Sequence, residues 1–384
     1  MRILILCYEY PPVGGGGGRV ARSVGEEMVK RGHAARVQTA GMKHLPRHET
    51  INGVEVFRTE SFRKREDSCS VAEMGLFLLT SILPTLRHIR EWKPDVIHAH
   101  FAMPTGVLAW LAHLLTGLPY VLTAHLGDVP GGVPEQTDKL FRVAGWLARL
   151  IWKNAAATTA VSGFVQALAE KSYRRPVVKI LNGIRLGDEI SDFRFQISDC
   201  SRPRHFVFLG RFNPQKCPAF AVDALAAIAD LPNWRLTMIG DGPLMPEVME
   251  RIAFHKLQDR ITLTGWLDTA AVGEILKSAD VLLMPSLSEG MPVAAVEALK
   301  HGLAIVGSDI PGLYDVIDNG VNGYLVELGE RDAFAHKLRW LLTSDETLLA
   351  MQNASRKKAR AFDLAVIGGQ YEEVLLQAAR TPCG

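Results

Sequence analysis

Residues 280–309 read DVLLMPSLSEGMPVAAVEALKHGLAIVGSD, and their order of apolar run, polar loop, helix and second apolar run decides how the surrounding chain is organised. The run 281–284 reads as a buried strand, and the loop after it ends in Glu289-Gly290. A helix opening at Pro292 carries Glu297 roughly two turns further on. Proline suits the first helical turn, where its missing N–H costs nothing. Gly290 lets the backbone approach a ligand closely. Two carboxylates therefore stand beside a positive helix terminus, an arrangement suited to a ligand with both hydroxyls and phosphates. The plain alternative is an ordinary loop residue at Glu289 and a solvated helix residue at Glu297.

The same alternation runs outward in both directions. Strands at 206–209, 235–239, 261–263, 304–306 and 323–326 alternate with helices at 216–228, 244–256, 269–277, 292–301 and 332–342. Ahead of a linker-like stretch at 187–203, strands at 3–7, 34–39, 54–57, 96–99, 120–123, 158–161 and 177–181 alternate with helices at 19–31, 72–92, 105–115, 138–154 and 163–171. This pattern implies right-handed βαβ units and parallel sheets. The expected architecture is α/β, with two doubly wound lobes facing across a deep cleft and ligands at the carboxyl ends of the strands. The lobes are expected at 1–187 and 188–363, with a C-terminal helix at about 364–384 packing back on the first. The tail reads as two amphipathic helices, 346–361 and 364–379.

Composition sets limits on the answer. At about 150 residues per domain, 384 residues predict two domains or three, and 48% apolar with 22% charged residues is the balance of a water-exposed globular protein. No apolar run reaches the roughly 20 residues of a membrane span. The N-terminus enters a strand with no cleavage pattern, so a cytoplasmic location is expected. Five scattered cysteines without a C-x-x-C spacing read as reduced thiols rather than as a disulfide framework or a zinc site. The net charge is +2 but is divided unevenly: 24 Lys and Arg stand against 15 Asp and Glu in 1–187, and 19 against 26 in 188–384.

Three constellations carry chemistry. The loop after the first strand contains Gly14-Gly15-Gly16-Gly17-Gly18, whose backbone N–H groups are able to wrap an oxyanion. Gly16-x-Gly18-x-x-Ala21 imitates a dinucleotide fingerprint, but six residues separate strand from glycines and no acidic residue ends the second strand, so NAD binding is not expected. In Gly210-Arg211-Phe-Asn-Pro-Gln-Lys216, two cations sit between a strand and a helix start. Cations do not help a helix N-terminus, whereas a diphosphate would explain them; a pair of surface cations is the alternative. His125, in Thr123-Ala-His125-Leu-Gly-Asp128, ends a strand that faces the expected cleft, either as a ligand contact or as a structural residue. His98 and His100 alternate on a strand end without a third ligand at metal spacing, which favours packing and cleft lining.

Taken together, the chain resembles the GT-B retaining glycosyltransferases of the glycosyl transferases group 1 family, which includes glycogen synthase and bacterial envelope mannosyl- and glucosyltransferases. The resemblance covers nearly the whole chain. It rests on the glycine loop, Arg31-Gly32-His33, Pro94-Asp-Val-Ile-His-Ala-His100, Thr123-Ala-His125-Leu-Gly-Asp128, Ala160-Val-Ser162, Leu181-Asn-Gly-Ile184, Gly210-Arg211…Lys216, Ile239-Gly-Asp-Gly-Pro243, Thr264-Gly-Trp266 and Glu289-x7-Glu297. It implies an enzyme that moves a hexosyl unit from a UDP- or GDP-linked sugar to a glycan, lipid-linked or small-molecule acceptor. Arg211 and Lys216 would hold the donor diphosphate, Glu297 the ribose hydroxyls and Glu289 those of the transferred sugar. The backbone of Gly290, Met291, Pro292 and Val293, with Gly15, Gly16 and Gly17, would line the phosphate and sugar pocket. Gly242 joins the donor contacts, and the backbone of Gly265, Trp266 and Leu267 would face the base. His125 would sit by the anomeric centre. Neither a cofactor nor a metal is expected, because two side-chain cations supply the charge stabilisation in a front-face mechanism. Arg185 stands where the family often has Asp.

The family's first lobe generally meets the acceptor, and here it is the basic one. Ser61-Phe-Arg63-Lys64-Arg65 and the segment Lys139 to Lys153, with Arg142, Trp146, Arg149 and Trp152, combine cations with aromatics as interfacial segments do. Peripheral contact with an anionic inner membrane face is expected from this, with core packing of the two tryptophans as the alternative. No nucleic-acid partner is expected. A nucleotide-sugar epimerase or a phosphorylase in the same fold, and a catalytically silent nucleotide-sugar-binding partner subunit, are the competing readings. An epimerase would not call for Arg211 and Lys216 beside this Glu pair, and no cofactor lysine site is evident for a pyridoxal phosphorylase. The filled donor positions speak against a silent subunit.

Overall fold

The computed structural model describes residues 1–66, 69–187 and 202–380, with backbone only at 134–140 and 143. Most of the linker-like stretch expected at 187–203 lies outside these residues, as do Cys200 and Cys383. The chain divides into two compact units: Met1–Arg185 with Asp363–Gly384, and Leu186–Phe362.

In the first unit the elements are β1 (Arg2–Leu6), α1 (Gly16–Lys30), β2 (Ala34–Gly41), β3 (His48–Ile51), β4 (Val54–Glu60), α2 (Val71–Trp92), β5 (Val96–His100), α3 (Val107–Thr116), β6 (Tyr120–Ala124), α4 (Pro134–Asn154), β7 (Ala157–Ala160), α5 (Gly163–Tyr173) and β8 (Val178–Lys179). The sheet order is β3-β4-β2-β1-β5-β6-β7-β8, parallel except for the edge pair β3–β4. β5 and β6 are buried along their whole length, the state that apolar runs adopt in a sheet covered on both faces. The strand order reverses between β1 and β5, so α1 and α3 cover opposite faces when the crossovers are right-handed. A helix from the end of the chain, Leu364–Arg380, completes this unit by packing on α1, β5 and β6.

The second unit contains β9 (Arg204–Leu209), α6 (Pro218–Ala226), β10 (Trp234–Ile239), α7 (Met245–Phe254), β11 (Ile261–Gly265), α8 (Thr269–Ser278), β12 (Val281–Met284), α9 (Val293–Lys300), β13 (Ala304–Ser308), β14 (Gly323–Val326), α10 (Arg331–Thr343) and α11 (Asp345–Ala359). Its sheet is wholly parallel in the order β11-β10-β9-β12-β13-β14. Phe206, Phe208, Leu236, Val281, Leu283 and Val306 build its core. The order reverses between β9 and β12, and the carboxyl ends of those strands form the switch point at which such sheets bind ligands.

Four differences from the sequence reading stand out. β3 is an unanticipated strand. α1 begins at Gly16 rather than at residue 19, because Gly16, Gly17 and Gly18 wind into the helix. Lys216 lies on a short 3-10 turn, Pro214–Lys216, and α6 starts only at Pro218, after Cys217 has taken a left-handed conformation. Similarly, Pro292 is the residue before α9 rather than its first, so Glu297 falls in the second turn.

Candidate functional site

In the second unit, the loops after β9 and β12 are stitched together. Asn213 caps the 3-10 turn by accepting the Lys216 N–H at 3.1 Å. The Leu287 N–H donates to the Gln215 carbonyl at 2.8 Å, and the Gln215 side-chain amide donates to the Ser288 carbonyl at 2.9 Å. Lys216 Nζ then meets Glu289 Oε1 at 2.5 Å. The Glu289 side chain is 6% exposed and that of Lys216 is 21% exposed, so the pair is largely withdrawn from water. Two residues assigned to different parts of a ligand are here each other's partners.

Glycines decide how closely these loops approach. A Cβ on Gly312, in the turn Pro311–Leu313, would lie 1.8 Å from the Glu289 carbonyl oxygen. A Cβ on Gly240, whose φ is +138°, would lie 2.0 Å from the Gly210 carbonyl. Gly242 abuts the Phe212 backbone in the same way, at 2.4 Å. The Gly240 N–H donates to the Gly265 carbonyl at 2.9 Å, fixing the end of β11, after which Trp266 is half exposed. Gly290, Met291 and Pro292 are buried, whereas Val293, Glu297, Arg211 and Leu267 are half-buried.

In the first unit, the start of α1 is shaped by contact. Added carbons on Gly17 and Gly18 would meet the Phe101 ring at 2.3 Å and the Glu9 carbonyl at 2.5 Å. The Glu9 carboxylate accepts the Gly15 N–H at 3.0 Å, so part of the anion-binding capacity expected of 15–17 serves a resident side chain. N–H groups in the first turn have no partner within a helix.

His125 follows β6 and is half-buried. Its Nε2 lies 3.1 Å from His100 Nδ1, and its ring centre lies 4.5 Å from that of Phe101. Asp128 braces the loop: one carboxylate oxygen accepts the His125 N–H at 2.7 Å and the other accepts the Ala102 N–H at 2.8 Å. Burial pushes His125 and His98 down to about 3 and holds His100 well below the usual histidine range. All three rings are therefore neutral at pH 7, and a single hydrogen lies between His100 and His125. Burial raises Asp128 to about 7 against the pull of its two backbone N–H donors. His98 bonds Thr123 at 2.8 Å, the packing role expected of it. Among the described residues, no cluster of three or more His, Cys, Asp or Glu is arranged to hold a metal.

The basic and aromatic segments separate on inspection. Arg63 is buried and donates to the Tyr8 carbonyl at 3.2 Å, so it is a structural residue and not a surface cation. Trp152 is fully buried and stacked on Tyr173 at 4.3 Å between ring centres. Trp146 is 63% exposed, and Arg142, Arg149 and Lys153 are exposed on the same helix. Among the described residues, no helix is long and apolar enough to cross a membrane. Arg185 pairs with Glu26 at 3.5 Å.

Gln215, Gly240, Gly312, Glu9 and Phe101 were not singled out from the sequence. The one local signal for Gly312 was its place after a buried strand; the others depend on partners far along the chain.

The family model described as Glycosyl transferases group 1 matches residues 203–344, and the one described as Glycosyl transferase 4-like domain matches 15–183. The chain is 30% identical to alpha-maltose-1-phosphate synthase of Mycolicibacterium smegmatis, over 68% of this chain and 71% of that one. It is 25% identical to N-acetyl-alpha-D-glucosaminyl L-malate synthase of Bacillus anthracis, over 99% and 98% of the two chains. HepE of Anabaena, solved with UDP and glucose, superposes with a TM-score of 0.75 at 21% identity, covering 98% of this chain and 99% of its own.

Proposed function

The chain belongs to the glycosyl transferases group 1 family, and from that premise we propose that it moves a hexosyl unit from a UDP- or GDP-linked sugar to a glycan, lipid-linked or small-molecule acceptor, with retention and without a metal. The observation that carries this reading is the Lys216–Glu289 pair, seated where β9 and β12 diverge.

An ammonium has three donors, so Lys216 is able to keep Glu289 through one and offer the others to phosphate oxygens. Glu289, anchored through one oxygen, has the second for a sugar hydroxyl, a charge-assisted bond. The pair thereby couples the grip on the transferred sugar to the group that leaves it. Arg211 adds a planar guanidinium matched to phosphate, Glu297 takes the ribose hydroxyls, and the backbone of 290–293 lies at the start of α9, the end of a helix that favours phosphate.

In the reaction the bond between the anomeric carbon and the diphosphate oxygen breaks, and the acceptor oxygen bonds to that carbon from the same face. The acceptor proton passes to the departing diphosphate, whose charge Arg211 and Lys216 stabilise. His125, neutral, accompanies the reacting carbon as a polar contact. Asp128, the buried carboxylate beside it, has both oxygens on backbone N–H groups, which supports a bracing role over that of a covalent nucleophile.

UDP is the favoured nucleotide, with HepE as the supporting neighbour. A thermal shift with UDP and with GDP is expected to raise Tm with one of them, in EDTA as well as without it. Glu297→Ala is expected to raise the donor KM, whereas Glu289→Ala lowers kcat. Failure of both nucleotides to stabilise the protein would remove this reading.

The exposed row of Arg142, Trp146, Arg149 and Lys153 supports peripheral contact of a cytoplasmic enzyme with an anionic membrane face. Pelleting with anionic vesicles is expected to be salt-sensitive and weakened by W146A; absence of pelleting at low salt would refute the contact.

A further inference from the structure

A cavity of about 290 Å³ opens at the carboxyl ends of β2 and β4, and its lining includes Lys43, Arg47, Arg58, Thr59 and Glu60. This is the rim of the sheet at which parallel α/β units bind ligands, yet none of the residues assigned to donor or catalysis lies there. The volume is small for a ligand site, near the lower end of about 300–1,000 Å³, and suits a compact group rather than a nucleotide sugar.

The cavity is built rather than incidental. Arg58 has 6% of its surface exposed and holds the 42–47 loop over β4: its N–H donates to the Arg47 carbonyl at 2.8 Å and its Nη1 to the Pro46 carbonyl at 3.0 Å. Nη1 also meets Glu49, which balances one charge. The buried Nε and Nη2 of the same guanidinium have no hydrogen-bond partner. The Arg58 side chain is 1% exposed, so it fixes the shape of the cavity rather than meeting a ligand, and the guanidinium fork open to an oxyanion is that of Arg47. Lys43 and Arg47, both exposed, bring two further cations to the mouth, against the single carboxylate of Glu60.

We infer that this cavity binds a compact oxyanion, a phosphate or a carboxylate, carried by the acceptor at a distance from its reacting hydroxyl. The inference rests on the reading of the chain as a glycosyltransferase with His125 by the reacting carbon. Between β2 and β6, after which His125 stands, the sheet interposes β1 and β5. Three strand spacings of about 4.8 Å make about 14 Å. The acceptor is thus an extended acidic molecule, with its charge well removed from the hydroxyl that receives the sugar, and not a small hydroxy acid.

Titration calorimetry with inorganic phosphate and with glucuronate, at ionic strength held constant with KCl and with UDP saturating, tests this. Saturable binding of at least one anion is expected, weakened about tenfold or more in K43A/R47A through the loss of charge-assisted contacts. Both substituted residues are exposed, and an unchanged melting curve verifies the fold. Preference for phosphate identifies a phosphorylated acceptor, and preference for glucuronate one with a sugar acid. No binding of either anion, or equal binding by the variant, overturns the site. UDP titrated alone is read separately: its failure to bind counts against the donor reading, whereas the contrast between wild type and K43A/R47A judges the anion site.

Discussion

Lys216→Ala is expected to lower kcat/KM for the donor by about 10²–10³, the usual cost of removing one preorganised charge from a leaving group. It is also expected to destabilise the fold by about 1–3 kcal/mol, because Glu289 keeps its carboxylate in a site 6% exposed after its cation is gone. The residual exposure of Lys216 keeps that figure below the cost of breaking a fully buried pair. The two effects separate in K216A/E289Q, where the neutral amide removes the stranded charge. Urea unfolding should then recover most of the loss, while steady-state rates stay low. Recovery of rate together with stability would mean that neither charge of the pair takes part in the chemistry, and a wild-type rate in K216A would remove Lys216 from it.

Gly312→Ala ranks next in expected effect, although Gly312 is not itself one of the residues assigned to substrate. Its new Cβ, 1.8 Å from the Glu289 carbonyl oxygen and 2.5 Å from the carbonyl carbon, collides with backbone that cannot swing aside as a side chain does. Overpacking of this kind costs about 1–3 kcal/mol, and a displacement near 1 Å at a positioning residue costs about 10²-fold in rate. Gly273→Ala is the control, since its Cβ in α8 meets nothing within 4 Å. Removing a glycine from a helix interior there should stabilise by about 0.5–1 kcal/mol. Equal kcat in G312A and G273A would show that the loop tolerates the shift.

Much of the architecture was legible because buried parallel strands are written as apolar runs and their helices as periodic ones. The strand at 281–284 has the same bounds in sequence and structure, and both sheets follow from the alternation. β3, with the sequence HETI, carries no apolar signal: as an edge strand it is held by its hairpin with β4. The early start of α1 was hidden because glycine is a poor helix former, and it is contacts with Phe101 and Glu9 that require glycine there. At the site, residue types and spacings pointed to hydroxyl and phosphate chemistry. The direct pairing of Lys216 with Glu289, 73 positions apart, depends on how two loops meet at the switch point and has no local signature.

The helix Leu364–Arg380 has a consequence for how the protein is made. It belongs to the unit that the chain begins, where Glu372 pairs with Arg31 at 2.9 Å and His33 at 2.7 Å, and Tyr371 is buried beside His98. Domains usually close in the order in which they leave the ribosome. Here the unit that contains Met1–Arg185 is missing a wall until Leu364–Arg380 has been made, and that helix follows the whole of the second unit in the chain. The first unit waits with part of its interior uncovered, and its closure joins α1, β5 and β6 to a helix separated from them in sequence by the whole second unit.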